Sequence, residues 1–339
     1  MKNSHSCADL LRRPNLLAEI DRELASRSLR EFVRQAWPSV EPSTVFVSGW
    51  HIDAICDHLE GISRGQIRNL LINVPPRHMK SLLVSVLWPA WEWITWPERR
   101  WLFSSYGAQL SIRDSVKGRR LIESPWYQQH WGDVFHLSGD QNTKGRFDNN
   151  RSGYRIAISV GGAATGEGGD RIVCDDPHNV QEAESDAIRQ NTNDWWNVVM
   201  STRQNDPKTS AMVVVMQRCH ERDLSGQLLQ QGGYEHLCLP AEYEPVTRVS
   251  MLGFADPREQ PGELLWPARF GADELVALKR SLGSYAAPME GLLHFSFVGM
   301  RINSQSIGVL TPAARTQGID GRGPQILRKQ SSSVDEARG

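Results

Sequence analysis

The chain has 339 residues, a formal net charge of −1 at pH 7, 23% charged residues and 40% hydrophobic residues. These values are ordinary for a soluble globular protein and leave room for one large domain or two. The near-zero charge excludes a globally basic nucleic-acid binder, so any contact with DNA must come from local patches.

Targeting and redox features predict a cytoplasmic protein without a membrane segment. The N-terminus lacks the apolar core of a signal peptide, and the longest apolar stretch, 82–94, is too short to span a bilayer. The five cysteines are scattered without a Cys-x-x-Cys pair, which argues against a disulfide framework or a zinc site and fits a reducing cytosol.

In chain order, residues 1–29 predict a helical N-terminal arm, and apolar residues three to four apart predict a helix at 50–62. From residue 70, apolar strands alternate with helices. Strands are predicted at 70–74, 100–104, 154–160, 171–174, 211–216 and 235–239, and helices at 80–94, 107–123, 182–203, 222–231 and 273–282. This order predicts an α/β fold with a mostly parallel sheet covered by helices on both faces. Pro89 predicts a kink in its helix, and the alternation around Arg155 predicts a strand with one wetter face.

Residues 70–81 carry the most specific pattern of the chain. An apolar strand stops at Pro75-Pro76, and a helix begins at the Lys80-Ser81 pair. This is the layout of a phosphate-binding loop, in which the Lys, in a solvent-open loop, reaches the β/γ-phosphates of ATP and the Ser hydroxyl holds Mg²⁺. The glycines of the usual pattern are replaced by Val74 and Met79. The alternative is a plain strand–turn–helix with one exposed Lys.

Two later strands end in polar residues. The stretch 171–176 ends in Asp175-Asp176, and the strand 211–216 is followed by Gln217. If 171–176 neighbours the P-loop strand, Asp175 would hold Mg²⁺ and Asp176 would activate the attacking water, while Gln217 would sense the γ-phosphate. The alternative for the acid pair is capping of the following helix.

Four ordered motifs resemble the large terminase subunit of tailed phages over roughly residues 30–285. They are NVPPRHMKS at 73–81, SYGAQLSIRDSVKGRRLI at 105–122, TGEGGDRIVCDDPHN at 165–179 and VVVMQRCHERDLSG at 213–226. The resemblance implies a P-loop NTPase of the ASCE/RecA-like class, with Walker A at 73–81, Walker B at 171–176 and a coupling motif at 213–218. It also implies an ATP-driven motor that pumps double-stranded DNA into a procapsid. The implied partners are DNA, a small terminase subunit and the portal protein, with a homo-oligomeric ring forming during packaging.

The resemblance also implies roles for individual residues. Pro76, Arg77, His78 and Met79 would contact the nucleotide with Lys80 and Ser81. Arg77 would approach the γ-phosphate, or else is an exposed loop arginine. Trp50, beside His51, would help hold the adenine, or else is part of a helix N-terminus packed on the core. The family usually has Asp-Glu where this chain has Asp175-Asp176, so the water-activating residue stays open between Asp176 and Glu167.

Three further patterns allow both a structural and a functional interpretation. Trp88, Trp91, Trp93, Trp96 and Trp101 could stack bases, but their helical spacing favours a core. Arg113, Lys117 and Arg120 form either a stripe that tracks DNA or a solvated helix face. The glycine-rich segment 161–170 is either a plain loop or a mobile element near the nucleotide.

The domain organisation follows from these assignments. We predict an arm at 1–29, the ATPase domain at 30–240, a lid or linker at 241–287 and an atypical, disordered tail at 288–339. Acids at strand ends, which a two-metal nuclease needs, are missing after 240, so we expect a truncated chain without nuclease activity. The alternatives are a helicase-like DNA translocase and an inactive prophage remnant that binds nucleotide or a partner without packaging.

Overall fold

The computed structural model describes residues 16–162, 166–245 and 249–282, with the backbone alone described for 278–282. The α-helices are α1 (Leu16–Arg27), α2 (Leu29–Val40), α3 (Trp50–Ser63), α4 (Trp88–Thr95), α5 (Ala108–Ile122), α6 (Pro125–Trp131), α7 (Asp186–Val198), α8 (Leu224–Gln231) and α9 (Ala272–Leu282). The strands are β1 (Asn69–Asn73), β2 (Arg100–Ser105), β3 (Leu137–Asn142), β4 (Arg146–Asn149), β5 (Tyr154–Ser159), β6 (Arg171–Asp175), β7 (Ala211–Met216) and β8 (Glu235–Cys238). A π-helical segment (Leu82–Leu87) precedes α4, and 3₁₀ turns (Glu182–Glu184 and Met200–Arg203) flank α7.

One eight-stranded sheet, in the order β3-β4-β5-β2-β6-β7-β1-β8, organises these elements. The six strands from β5 to β8 in this order are parallel, and β4 is antiparallel to both β3 and β5. The predicted mostly parallel sheet is therefore confirmed. The expectation that β6 neighbours β1 is wrong, because β7 lies between them. This insertion of a strand between the two candidate nucleotide strands is the arrangement of the ASCE/RecA-like P-loop fold.

Both faces of the sheet are buried, which explains the continuous apolar strands. In β1, Leu70 and Ile72 face a large core shared with α1–α6, whereas Leu71 faces a second core. That second core contains Trp195 and Trp196 of α7 and Leu224 and Leu228 of α8. Since successive strand residues point to opposite faces, the central strands β1, β6 and β7 contribute to both cores. Helices cover the sheet on both faces, as the alternating pattern predicts.

The tryptophan cluster belongs to the core. Trp88, Trp91, Trp93 and Trp101 are at most 4% exposed, and the rings of Trp88 and Trp101 meet edge-on with centroids 4.7 Å apart. The indole N–H of Trp91 donates to the main-chain oxygen of Ala25 at 2.9 Å, which fixes α1 on the core. The core interpretation is confirmed for these four residues, while Trp96 is partly exposed.

Several elements differ from the sequence predictions. The helix predicted at 182–203 is broken into a 3₁₀ turn, α7 and a second 3₁₀ turn, and the helix predicted at 80–94 contains the π-helical segment just before Pro89. The sequence analysis missed β3 and β4, whose residues are largely polar and are ordered as an antiparallel ribbon at the sheet edge. It also missed α6, although Ser124 caps it by accepting a hydrogen bond from the Tyr127 N–H at 3.2 Å and Pro125 occupies its first turn.

The predicted arm is helical where the structure describes it, from Leu16. The predicted tail at 288–339 lies outside the described residues, and the domain boundaries stay predictions. No helix in the described part of the chain has the length and apolar character needed to cross a membrane.

Candidate functional site

Three parallel strands bring their C-terminal ends to one level in the middle of the sheet. Asn73 of β1 pairs in register with Met216 of β7, and Asp175 of β6 pairs with Val215. The residues that follow these ends border a cleft of about 570 Å³. Its lining includes Lys80, Ser81, Ser105, Tyr106, Arg113, Asp114, Asp175, Asp176, His178 and Gln217. Carboxyl ends of strands in open α/β sheets are where such folds bind ligands.

Lys80 is not the solvent-open loop residue that we expected. It is 7% exposed, and its Nζ lies 2.8 Å from Oδ2 of Asp176. Burial alone would lower the pKa of Lys80, but the carboxylates of Asp176 and Asp175 outweigh it and raise the pKa above its usual value. The side chain is therefore a cation held at the floor of the cleft.

Asp175 accepts two hydroxyl hydrogen bonds from the helix that follows the P-loop. Ser81 Oγ donates to Oδ1 at 3.1 Å, and Ser85 Oγ donates to Oδ2 at 2.9 Å. Burial and the adjacent charge of Asp176 raise the pKa of Asp175. Among the described residues no group of three or more His, Cys, Asp and Glu side chains could hold a metal. One carboxylate and one hydroxyl nevertheless fit Mg²⁺, which takes oxygen ligands and keeps most of its waters.

Asp176 is fixed by the neighbouring strands. Its backbone has φ 48°, its Oδ1 accepts the Gln217 N–H at 3.2 Å, and its main-chain oxygen accepts the Tyr106 N–H at 3.0 Å. Asp tolerates this left-handed conformation better than most residues. The side-chain oxygen of Gln217 is buried and has no hydrogen-bond partner in the described part of the chain. The structure thus brings Asp176 and Gln217 together with Lys80, as the sequence predicted.

The P-loop adopts left-handed backbone angles without glycine. Arg77 has φ 63° and Met79 has φ 65°. Residue 79 is where the usual P-loop pattern has a glycine, so the unusual conformation is kept although the residue is not. The Met79 side chain is 6% exposed and packs in the large core. Its burial offsets the cost of the left-handed backbone.

A second cavity of about 300 Å³ borders the other side of the P-loop. Its lining consists of Trp37, Glu41, Thr44, Arg77, Met79, Lys80, Ser81, Leu82 and Arg269. The exposed Arg77 therefore belongs to this cavity, whereas Lys80 and Ser81 border both. The two cavities thus flank the loop that would hold the phosphates.

Trp50 and His78 pack against the segment 249–270. The Trp50 ring stacks on Phe254 with centroids 6.2 Å apart and does not line either cavity. The buried His78 stacks on Phe270 at 5.0 Å, and its Nδ1 lies 2.9 Å from the main-chain oxygen of Pro76. These contacts favour the packing interpretation of Trp50 and place Pro76 and His78 as supports of the loop.

Glu167 lies at the N-terminal ends of the parallel strands, opposite to the cleft. It precedes β6 and pairs with Arg146 at 2.8 Å, and the main-chain oxygen of Gly168 accepts the hydroxyl of Tyr154, the first residue of β5. The length of β6, about 13 Å, separates its N-terminal end from Asp175 at its C-terminal end. Glu167 is thus not brought to the cleft, and the structure corrects its candidacy as the water-activating acid.

Arg113 is a cleft residue, although the sequence left it open as part of either a stripe that tracks DNA or a solvated helix face. It lines the cleft and pairs with Asp114 at 2.8 Å. Lys117, one turn later, pairs with Glu41 at 2.5 Å, so the three basic residues do not form one free basic face. The sequence contained a signal for the cleft position of Arg113, because helix α5 starts directly after the C-terminal end of β2.

The loop after β7 is built around a fully buried carboxylate. Asp223 accepts hydrogen bonds from Arg218 Nε at 3.0 Å and from the main-chain N–H groups of Cys219 and Gly226, both at 2.9 Å. Nε2 of His178 accepts the Leu224 N–H at 2.9 Å, and burial lowers the pKa of His178 to about 4. His178 therefore connects the segment after β6 to the helix after β7 as a neutral acceptor.

No family profile and no curated protein match the chain. Solved phage large terminases are structurally similar to it. The large terminase of bacteriophage HK97 gives a TM-score of 0.48 at 11% identity, covering 78% of this chain and 53% of its own. A mutant of the ATPase domain of the Thermus phage P74-26 large terminase gives a TM-score of 0.37 at 11% identity, covering 60% of this chain and 85% of its own. The large terminase of a thermophilic bacteriophage in complex with ADP gives 0.34 at 9% identity, covering 53% and 44%.

The chain spans about half the length of the HK97 large terminase. At these TM-scores and identities the similarity does not define the site, which depends on the residues and distances described above.

We predict that Arg77→Gly is about 1 kcal/mol more stable than Arg77→Ala, because alanine keeps the cost of the left-handed backbone and glycine does not. Urea unfolding midpoints measure the difference. Arg34, in the interior of α2, is the matched control, since there Gly should be less stable than Ala by about 1 kcal/mol. Greater stability of Arg77→Ala would contradict the left-handed conformation.

We also predict that His178 makes the fold acid-sensitive. Its pKa is about 4 in the folded chain and 6.5 as the usual value. Above pH 6.5 it is neutral in both states. As the pH falls from 6.5 to 4, the unfolded state takes up a proton that the folded state refuses, so up to about 3 kcal/mol of stability is lost.

The variant His178→Gln keeps an acceptor and removes this titration. Its unfolding free energy should therefore fall less between pH 6.5 and 4 than that of the wild type. Parallel slopes for the two proteins in urea titrations at each pH would show that His178 is not the sensitive group.

Proposed function

We propose that this chain is an ATP-hydrolysing motor subunit that translocates double-stranded DNA into a procapsid, the ATPase half of a large terminase subunit. One observation carries the ATPase part of the proposal. Lys80 and Ser81, from the helix after β1, meet Asp175 and Asp176, from the end of β6, in a single cleft with β7 between the two strands.

Each group has a role that its position allows. The Lys80 ammonium would bind the β/γ-phosphates, which compete with Asp176 for it. Ser81 and Asp175 would hold Mg²⁺, which supplies the charge that neutralises the transferred phosphoryl group. Released from Lys80, Asp176 would accept the proton of the attacking water, with the Gln217 N–H holding its other oxygen. Gln217 Oε1, buried without a described partner, would then be the group that senses the phosphate.

The resemblance of the four motifs supports the rest of the proposal. Duplex DNA, a small terminase subunit and the portal protein are the proposed partners, a homo-oligomeric ring is the proposed assembly, and the bacterial cytoplasm is the proposed location. The absence of nuclease activity stays an expectation from the sequence.

Phosphate release from ATP and Mg²⁺, with and without duplex DNA, tests this function. We expect hydrolysis that DNA stimulates, and we expect Lys80→Ala to lower it by at least about 10²-fold, because it removes the cation aimed at the transferred phosphoryl group. Lys208→Ala, at an exposed lysine outside the cleft, is the control. Circular dichroism checks that Lys80→Ala is folded, since the buried Lys80 also pairs with Asp176. Hydrolysis at the wild-type rate in Lys80→Ala would refute the P-loop assignment.

The two aspartates are expected to differ in their effects. Asp176→Asn should spare nucleotide binding and slow turnover by about 10²–10⁴-fold, as for loss of a general base. Asp175→Asn should weaken Mg²⁺-dependent nucleotide binding. Glu167→Gln, at the N-terminal end of β6 and away from the cleft, is the matched control and should leave turnover unchanged. If Glu167→Gln slows turnover and Asp176→Asn does not, the assignment of the water-activating acid is wrong.

A further inference from the structure

Arg155 of β5 is a buried charge that the proposed reaction does not use. The sequence alternation placed it on the wetter face of its strand, but it is only 1% exposed. Its guanidinium carbon lies 3.8 Å from the centre of the Phe103 ring in the neighbouring strand β2. The strand therefore turns this arginine into the large core, towards the helix that follows the P-loop.

This arginine is incompletely satisfied. It forms no ion pair with a described residue, and its Nε and Nη2 have no hydrogen-bond partner in the described part of the chain. Burial lowers the pKa of Arg155 to about 9, and the carboxylates of Asp114 and Asp175 oppose that effect. A buried guanidinium without a paired carboxylate is costly, so a role beyond packing is expected.

The acceptor that Arg155 reaches is the main-chain oxygen of Ser85, to which its Nη1 donates. Ser85 lies in the π-helical segment, four residues before Pro89. Proline has no N–H, so Pro89 cannot donate the α-helical hydrogen bond to the Ser85 oxygen, and Arg155 Nη1 donates to that oxygen. The Ser85 hydroxyl in turn donates to Oδ2 of Asp175 at 2.9 Å.

We propose that Arg155 is a positioning residue for the Mg²⁺-binding carboxylate of Asp175 and acts through Ser85. By holding the main chain of Ser85, it keeps the Ser85 hydroxyl on Oδ2 and leaves Oδ1, beside Ser81, to face the metal. The proposal rests on the proposed function, since it needs a divalent cation at Asp175. It goes beyond that function by assigning a role to a residue outside the cleft and to the π-helical turn.

Binding of Mn²⁺ with ADP, measured from the free Mn²⁺ signal in electron paramagnetic resonance, tests this without requiring turnover. Mn²⁺ stands in for Mg²⁺. Arg155→Met should weaken Mn²⁺ binding by about 10-fold or more, the usual cost of losing a group that orients a metal ligand. Ser85→Ala should weaken it similarly, and the double variant should be no weaker than either single variant, because both act along one path. Arg155→Lys should restore part of the affinity, since its ammonium can donate to the same oxygen.

The control is Arg171→Met combined with Glu92→Gln. Arg171 is a buried arginine at the other end of β6, and its ion pair with Glu92 is 2.7 Å long, so the double change removes a guanidinium without leaving a charge unpaired. It should leave Mn²⁺ affinity unchanged. Equal losses of Mn²⁺ affinity in this control and in Arg155→Met would show that Arg155 has only a structural role.

The remaining outcomes separate the two proposals. If the wild type binds Mn²⁺ with ADP but neither Arg155→Met nor Ser85→Ala weakens that binding, the positioning role fails and the proposed function stands. If Arg155→Met does not fold, an unchanged affinity in Ser85→Ala still overturns the role. If the wild type binds no Mn²⁺ with ADP, the proposed function fails and the positioning role fails with it.

Discussion

The adjacent carboxylates of Asp175 and Asp176 are the constraint on which the rest of the structure depends. Two acids at the end of a central strand repel each other and lose hydration, so both need partners. The first turns of the helix after β1 supply them, with Lys80 Nζ 2.8 Å from Asp176 and Ser81 Oγ 3.1 Å from Asp175. The contact joins two strands that do not pair, so β1, β7 and β6 must end at one level. A cleft with a buried cation and a buried carboxylate follows from that single requirement.

The apolar runs and the acid pair were sufficient to predict a mostly parallel, helix-covered sheet and the residues at its centre. The order of the strands was not accessible in the same way. Strands β6 and β7 are both short and apolar, and which of them lies beside β1 depends on tertiary pairing that composition does not encode. The antiparallel ribbon β3–β4 was missed for the opposite reason. Its residues are polar, and pairing at the sheet edge, instead of apolar burial, orders them.

The site, like the fold, has features that the sequence predicts and features that it does not. Asp175 and Gln217 were found because each directly follows a predicted apolar strand, and Lys80 and Ser81 because they begin a helix after such a strand and a turn. The burial of Lys80 was not predicted, because its partner Asp176 lies 96 positions away in sequence (176 − 80). Glu167 was kept as a candidate because the family usually has Asp-Glu where this chain has Asp175-Asp176, yet the structure places it before the N-terminal end of β6, where it pairs with Arg146. Arg155 was misplaced because period-two alternation assigns a face to a residue but does not say how wet that face is.

The P-loop illustrates how packing can replace a sequence rule. A left-handed residue favours glycine because a side chain there costs about 1–2 kcal/mol. At position 79 the methionine side chain lies in the core at 6% exposure, and full burial of such a side chain contributes about 1.5–3 kcal/mol. The two terms are comparable, so the loop keeps its backbone shape with methionine. At position 77 the arginine is exposed and no burial compensates, so the cost there is uncompensated by packing. An uncompensated left-handed arginine that lines the second cavity, which Lys80 also borders, fits a role for its charge, since an exposed glycine would adopt the same backbone at a lower cost.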